Sequence, residues 1–230
     1  MEIYHFSFQN ENEWHEKKWL LKYLNPLEQE RVCRLYQDKH KLAKLYSLLF
    51  QRYILAKSQN IAPTSISYSF NEKGKPKLNS STLYFNLSNS GKHIVIALDN
   101  QEIGIDIEES KNVDLDIVDR FFSHSEKVNI YAHQNPEKRF FEYWTLKEAF
   151  LKCIGTGLSK PLSSFTVMSV NHSTSSYRIE TDEKHYFLSL FYINSHLPLG
   201  ICSASPFELP SVISISGECL EAFYKNSDTP

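Results

Sequence analysis

No two of the four cysteines, Cys33, Cys153, Cys202 and Cys219, stand in a C-x-x-C spacing, so the chain shows neither a zinc-site pattern nor a thioredoxin-like redox motif. They read instead as buried thiols of a reducing compartment. No stretch approaches the ~20 apolar residues a membrane helix needs. The opening Met-Glu-Ile-Tyr-His also lacks a basic segment followed by an apolar run. The expectation is a cytoplasmic protein without a membrane partner. Charge of one sign is missing too: 25 Lys and Arg stand against 27 Asp and Glu. No global field points to nucleic acid, and a charged ligand must be met by a local patch. Low complexity is confined to the polar tail after Tyr224, and no internal repeat is strong enough to prove duplication.

What remains is an ordinary globular composition, 41% hydrophobic and 23% charged over 230 residues. That length can bury a core without disulfides or metals, as one large domain or two small ones. Residues 3–8 alternate weakly as a first strand. Asn25-Pro26-Leu27-Glu28 then supplies an N-cap, an N1 proline and a capping-box acid, so a helix is expected to start there. Leu42, Leu45, Leu49, Tyr53 and Ala56 recur at helical spacing and predict an amphipathic helix over 41–57, with Lys41, Lys44 and Arg52 on its polar flank.

Alternation predicts strands over 65–70 and 83–87. The corner Asn89-Ser90-Gly91 can turn the second of these back into the apolar run His93 to Leu98 as a hairpin. Between the two strands lies the basic turn Lys73-Gly74-Lys75-Pro76-Lys77. A strand from Ile103 is followed by helical stretches near 114–122 and 125–133 and a long helix from Glu137 to Ile154, ended by Gly155 and Gly157. After Pro161, strand-like runs near 163–169, 176–180, 185–193 and 199–204 make the second half a loose echo of the first.

Three segments carry chemistry. In Ile103-Gly104-Ile105-Asp106-Ile107-Glu108 the isoleucines alternate with Gly, Asp and Glu, so both carboxylates share the face opposite the core side. They would be ~7 Å apart along the strand, close enough to share one hard cation; Gly104 leaves the space beside Asp106 clear. An edge strand with a solvated polar face fits the same pattern. The helix Phe140 to Lys152 is apolar on nearly every side, with Phe141, Trp144, Glu148 and Leu151 on one face and Lys152 a turn beyond Glu148. A carboxylate there must be paired, protonated or metal-bound, and a Glu148–Lys152 ion pair would also satisfy it. Third, Tyr84-Phe85-Asn86-Leu87-Ser88-Asn89-Ser90-Gly91 crowds hydroxyl and amide groups where a phosphate could be cradled, although such residues are favoured in turns anyway.

Taken in order and spacing, Gly74-Lys75-Pro76, Phe85-Asn86-Leu87-Ser88-Asn89-Ser90, Gly104-Ile105-Asp106-Ile107-Glu108 and Trp144-Thr145-Leu146-Lys147-Glu148-Ala149-Phe150-Leu151-Lys152 resemble the signatures of the 4′-phosphopantetheinyl transferases. The closest fit is the larger monomeric kind that activates peptide and polyketide synthases. The resemblance implies an α+β fold of two similar halves related by a pseudo-twofold, with the active site in the cleft between them. Residues 1–103 would hold the phosphates of coenzyme A, and residues 104–230 the metal and catalytic groups. It further implies Mg²⁺ ligands Asp106, Glu108 and Glu148. Glu148 and Lys152 would be the catalytic residues, and Lys75, Ser88, Asn89, Lys44, Arg31 and Lys147 the coenzyme A contacts. The implied reaction moves 4′-phosphopantetheine onto a serine of an apo acyl, peptidyl or polyketide carrier protein and releases adenosine 3′,5′-bisphosphate.

Two departures stand out. The family usually has histidine where this chain has Asn89, which cannot carry positive charge. In the helix after Pro26, the basic residues expected to meet the 3′-phosphate are partly Glu28, Gln29 and Glu30. Phe121 and Phe122, beside Arg120, are candidates for carrier docking and equally for helix core. A non-catalytic relative that binds coenzyme A or a carrier, and a different Mg²⁺-dependent phosphoryl-transfer enzyme, remain as alternatives.

Overall fold

The computed structural model describes residues 1–79, 81–171, 175–181 and 184–226. Strand β1 (Glu2–Ser7) leads through the short helix α1 (Trp14–Lys17) to α2 (Pro26–Cys33) and the long α3 (Asp38–Gln59). The hairpin β2 (Tyr68–Phe70) and β3 (Pro76–Leu78) is followed by β4 (Tyr84–Ser90), β5 (His93–Asp99) and β6 (Ile103–Ile107). Helices α4 (Val118–Phe121), α5 (His124–Tyr131) and α6 (Pro136–Ile154) precede strands β7 (Met168–Asn171), β8 (Ser176–Glu180), β9 (His185–Ile193), β10 (Leu197–Ser203) and β11 (Val212–Ile215). Helix α7 (Gly217–Asn226) closes the described chain.

These elements form two α+β halves. In the first, a sheet of order β11-β1-β5-β4 packs against α3; in the second, a sheet of order β6-β10-β9-β8-β7 packs against α6. Phe6, Ile94, Ile96 and Leu98 meet Leu42, Leu45, Leu49 and Phe50 in the first core, and Phe140, Leu146, Phe150 and Leu188 lie in the second. A third cluster joins the halves, with Ile3, Val95 and Ala97 against Ile103, Ile105, Ile107, Leu199 and Ile201. The isoleucine alternation read from the sequence thus faces the inter-half core.

Helix α2 starts as its caps dictate. The Asn25 side chain accepts from the Glu28 amide at 3.0 Å, and the Glu28 carboxylate accepts from the Asn25 amide at 3.1 Å. Several expectations are corrected. The 65–70 strand is only β2, because residues 63–65 form a 3₁₀ turn. β4 runs through Asn89 and Ser90 instead of ending at 87, and Ser90 pairs with His93, so the turn is Gly91–Lys92 with Gly91 at φ +54°. The 163–169 run becomes a 3₁₀ turn over 162–164 followed by β7. Gly104 is needed not beside Asp106 but under α6, where a Cβ would overlap the Ala149 carbonyl oxygen and the Cys153 amide nitrogen.

β11 and α7 were not expected. β11 pairs parallel with β1, and α7 buries Leu220 and Tyr224 in the first core, where the Tyr224 hydroxyl donates to the Leu49 carbonyl at 2.7 Å. The end of the described chain therefore returns to the first half.

Candidate active site

β4 is an edge of one sheet and β6 an edge of the other, and the two edges lie side by side, with α6 packed over β6. Three alternate side chains of β4 reach across. Asn86 Oδ1 accepts from the Ile105 amide at 2.8 Å, Ser88 Oγ donates to Asp106 Oδ1 at 2.7 Å, and Ser90 Oγ donates to Glu108 Oε2 at 2.8 Å. From α6, the Lys152 ammonium donates to Ser88 Oγ at 2.7 Å and to Asp106 Oδ1 at 2.6 Å. The side of α6 that carries Trp144, Glu148 and Lys152 is its half-buried one, whereas Phe140, Phe141, Leu146 and Phe150 are buried.

Asp106 is buried, and its second oxygen, Oδ2, has no hydrogen-bond partner in the protein. Burial pushes its carboxyl up, opposed by Lys152 and Ser88. Glu108 is raised to about 7, first by burial and then by the charge of Asp106, with Ser90 and Lys152 opposing. Glu148 is raised by burial and then by Asp106, with Lys152 opposing. Glu108 and Glu148 therefore both feel Asp106, which makes it the hub of the cluster.

An oxygen-only donor set around a buried oxygen without a partner fits a hard cation such as Mg²⁺. Asp106, Glu108 and Glu148 are the residues that could hold it. Among the described residues no three His, Cys, Asp or Glu side chains are drawn together as a ready-made metal group. The Lys152 ammonium stands against Asp106 instead.

The other residues expected at the site divide into groups. Ser88 belongs to the cluster itself. Lys75 donates to the Cys153 carbonyl at 2.7 Å and the Ile103 carbonyl at 3.2 Å, and so straps the β2–β3 hairpin to the end of α6. Asn71 adds a bond from Nδ2 to the Gly155 carbonyl at 3.0 Å. Beside this strap is a pocket of about 260 Å³ walled by Phe70, Lys75, Pro76, Tyr84, Phe85 and Ile154.

Asn89 is exposed and alternates away from Ser88 and Ser90, on the face of β4 that packs against α3. Arg31 and Lys44 are neighbours from α2 and α3. Loss of solvation and then the Arg31 charge hold the Lys44 ammonium below the usual lysine range, opposed by Glu28. Glu28 itself turns inward to a bidentate pair with Arg52, Oε1 to Nη2 and Oε2 to Nε both at 3.0 Å, which is why an acid is tolerated on this basic flank.

Lys147 is not brought to the cluster. It is fully buried, paired with Glu126 at 2.9 Å, and donates to the Leu162 and Phe165 carbonyls at 2.8 and 2.7 Å. One residue of helix, ~100° of rotation, separates it from Glu148. Phe122 is buried in the second core, and Phe121 packs edge-on against Trp144, half-buried. Sequence reasoning passed over the separate parts played by Asn86 and Ser90; their alternation with Ser88 on β4 was the available signal. A larger depression of about 510 Å³ lies by Lys92, His93, Glu109, Lys138 and His196, and the carboxylate cluster does not line it.

The model of the 4′-phosphopantetheinyl transferase superfamily matches residues 102–202, and that of the 4′-phosphopantetheinyl transferase N-terminal region matches residues 11–101. The 4′-phosphopantetheinyl transferase Sfp of Bacillus subtilis (strain 168) is 29% identical over 211 residues, 90% of this chain and 93% of that protein. A second Bacillus subtilis protein, named 4′-phosphopantetheinyl transferase, is 33% identical over 181 residues, 77% of this chain and 80% of its own. The 4′-phosphopantetheinyl transferase ffp of Bacillus subtilis is 28% identical over 225 residues, 96% of this chain and 100% of that one. Matched across both halves, and around the strand and helix that hold its carboxylates, this chain belongs to the 4′-phosphopantetheinyl transferase superfamily.

Proposed function

We propose that the protein transfers the 4′-phosphopantetheine arm of coenzyme A to a serine of an apo carrier protein at the Asp106 cluster. The observation that carries this reading is the buried Asp106 carboxylate, bonded to Lys152 and Ser88 through one oxygen and unpartnered at the other, in a chain of this family. Asp106, Glu108 and Glu148 would hold Mg²⁺. When bound, the ion supplies neutralisation of the charge that builds on the leaving bisphosphate.

The chain's own groups do the rest. The serine oxygen bonds to the phosphorus that bears the pantetheine, and the bond from that phosphorus to the bridging oxygen breaks. Adenosine 3′,5′-bisphosphate departs with the electron pair. Glu148, its carboxyl raised by burial and by Asp106, takes the serine proton. Lys152 stabilises negative charge from the same helix. The pocket beside Lys75 and Pro76, with aromatic and apolar walls, suits the adenine end of coenzyme A. Arg31 and Lys44 supply positive charge toward its phosphates, and Asn89, on the same side of the sheet, supplies a hydrogen bond. A monomer in the cytoplasm fits this reading: one chain brings every group of the cluster, and its cysteines are free.

Intact-mass spectrometry of several apo carriers, incubated with the protein, Mg²⁺ and coenzyme A, tests the proposal. A gain of one phosphopantetheine on the serine is expected. Coenzyme A binding with no carrier modified would make the protein a binding relative.

A further inference from the structure

We infer that Ser90 is a positioning residue for Glu108, its hydroxyl presenting that carboxylate to a cation at the Asp106 cluster. The inference rests on the reading of Asp106, Glu108 and Glu148 as Mg²⁺ ligands in the transferase reaction. Its starting point is the seam between the sheets, where no backbone ladder joins β4 to β6 among the described residues, and the side chains of Asn86, Ser88 and Ser90 take the ladder's place. The three rungs differ. Asn86 bonds only the β6 backbone, and Ser88 is shared between Asp106 and Lys152 inside the charged cluster. Ser90 alone bridges to Glu108.

The hydroxyl of Ser90 has a forced direction. It accepts from the Glu109 amide at 3.0 Å, and because that amide can only donate, the hydroxyl's single proton is left for Glu108 Oε2 at 2.8 Å. Ser90 is itself fixed, buried and paired with His93 in the last rung before the turn. The turn is held in its place by Gly91, at φ +54°, against which the Glu109 carboxylate packs so closely that a Cβ there would overlap it. On the other side, the Glu108 amide donates to the Pro198 carbonyl at 3.2 Å. Backbone and Oε2 of Glu108 are thus tied to two different strands, which leaves Oε1 as the oxygen that Ser90 does not engage. Mg²⁺ requires near-ideal octahedral geometry, so a ligand held in this way binds without first being ordered. Groups that orient metal ligands typically change metal affinity by about 10–100-fold.

The test compares wild type with Ser90→Ala and Ser90→Thr at about pH 8.5, well above the ordinary carboxylate range. Mn²⁺ binding is followed by electron paramagnetic resonance with coenzyme A present, and the Mg²⁺ concentration for half-maximal transfer is measured beside it. Ser90→Ala should weaken Mn²⁺ binding and raise the Mg²⁺ requirement by about tenfold or more, with the KM for carrier unchanged. Ser90→Thr, which keeps the hydroxyl on a strand position suited to threonine, should restore both. Unchanged Mn²⁺ affinity in Ser90→Ala, or a folded Ser90→Thr as weak as Ser90→Ala, overturns the inference. Should Ser90→Ala fail to fold, Ser90→Cys, similar in size and a poor donor, is judged by the same two readings. Wild type that modifies no carrier would sink the transferase reading, while the Mn²⁺ titration would still decide the role of Ser90.

Discussion

The Lys152 ammonium lies 2.6 Å from Oδ1 of Asp106, while Oδ2 of the same buried carboxylate is without a hydrogen-bond partner. One oxygen is neutralised by the protein, and the other is left buried without a partner, which the proposed Mg²⁺ would supply. Asp106→Ala should therefore lower turnover by about a hundredfold or more, as loss of a metal ligand at a phosphoryl-transfer site does. Glu108→Ala should cost less, because Glu108 is only half-buried and water can replace it. Steady-state rates at saturating coenzyme A, with circular dichroism as the fold control, decide this. Near-wild-type turnover in a folded Asp106→Ala would remove the proposed ion site.

Lys147 and Glu126 form an ion pair in which both side chains are sealed from solvent, at 0% and 1% exposure. Glu126 also accepts from the Ser123 and Val167 amides at 2.8 Å each, so the pair pins α5 and the 161–167 segment to α6. Lys147→Met leaves a buried carboxylate unpaired and should destabilise the protein by about 3–5 kcal/mol in urea unfolding. At a temperature where the variant stays folded, its KM for coenzyme A should remain within about twofold of wild type. A tenfold rise would return Lys147 to the coenzyme A site.

The His5 and His93 rings stack 5.3 Å apart, with Nε2 of the first 3.0 Å from Nδ1 of the second. Burial, and then His93, lower the His5 pKa from 6.5 to about 4. A folded value below the unfolded one means the unfolded chain takes the proton first as the solution is acidified. The stability from neutral His5 is thus complete above about pH 6.5 and is lost as pH falls toward 4. Between pH 7 and pH 5 the loss should be about 2 kcal/mol. His5→Gln, which keeps a hydrogen-bonding group that does not titrate, should lose correspondingly less between those two pH values. Urea midpoints at both check it, and an equal acid loss in the two proteins would acquit His5.

What was legible in the sequence was what local rules govern. The Asn25 cap, the periodicity of α3 and α6 and the isoleucine alternation of β6 each follow from neighbours within a few residues, and they place Asp106, Glu108 and Glu148. The rest depends on partners distant in sequence. Lys147 and Lys152 are both lysines on one apolar helix, and only packing against Glu126 and Asp106 tells them apart. Glu28 reads as a surface acid until Arg52, a helix away, turns it inward. β4 continues through polar Asn89 and Ser90 because both pair with β5 and Ser90 meets Glu108 across the seam, and β11 depends on an edge of β1 more than 200 residues earlier.

Asn89 stands where the resemblance leads one to expect a histidine, and its position gives the exchange a direction. It is exposed on the α3 side of β4, the side that carries Arg31 and Lys44, away from the carboxylates bonded by Ser88 and Ser90. A histidine titrates at ~6.5 when unperturbed, and a neighbouring phosphate raises that value, so Asn89→His would place a largely cationic group there near neutral pH. The KM for coenzyme A should fall about fivefold, equivalent to roughly 1 kcal/mol for a solvent-screened pair. Because the gain belongs to the protonated ring, it is full below the new histidine's pKa and fades as pH rises through it. Wild type should show no such dependence from this position. KM values for both proteins across pH 6 to 9 read the difference directly. An unchanged KM, or a gain that persists at pH 9, would place Asn89 away from any phosphate of coenzyme A.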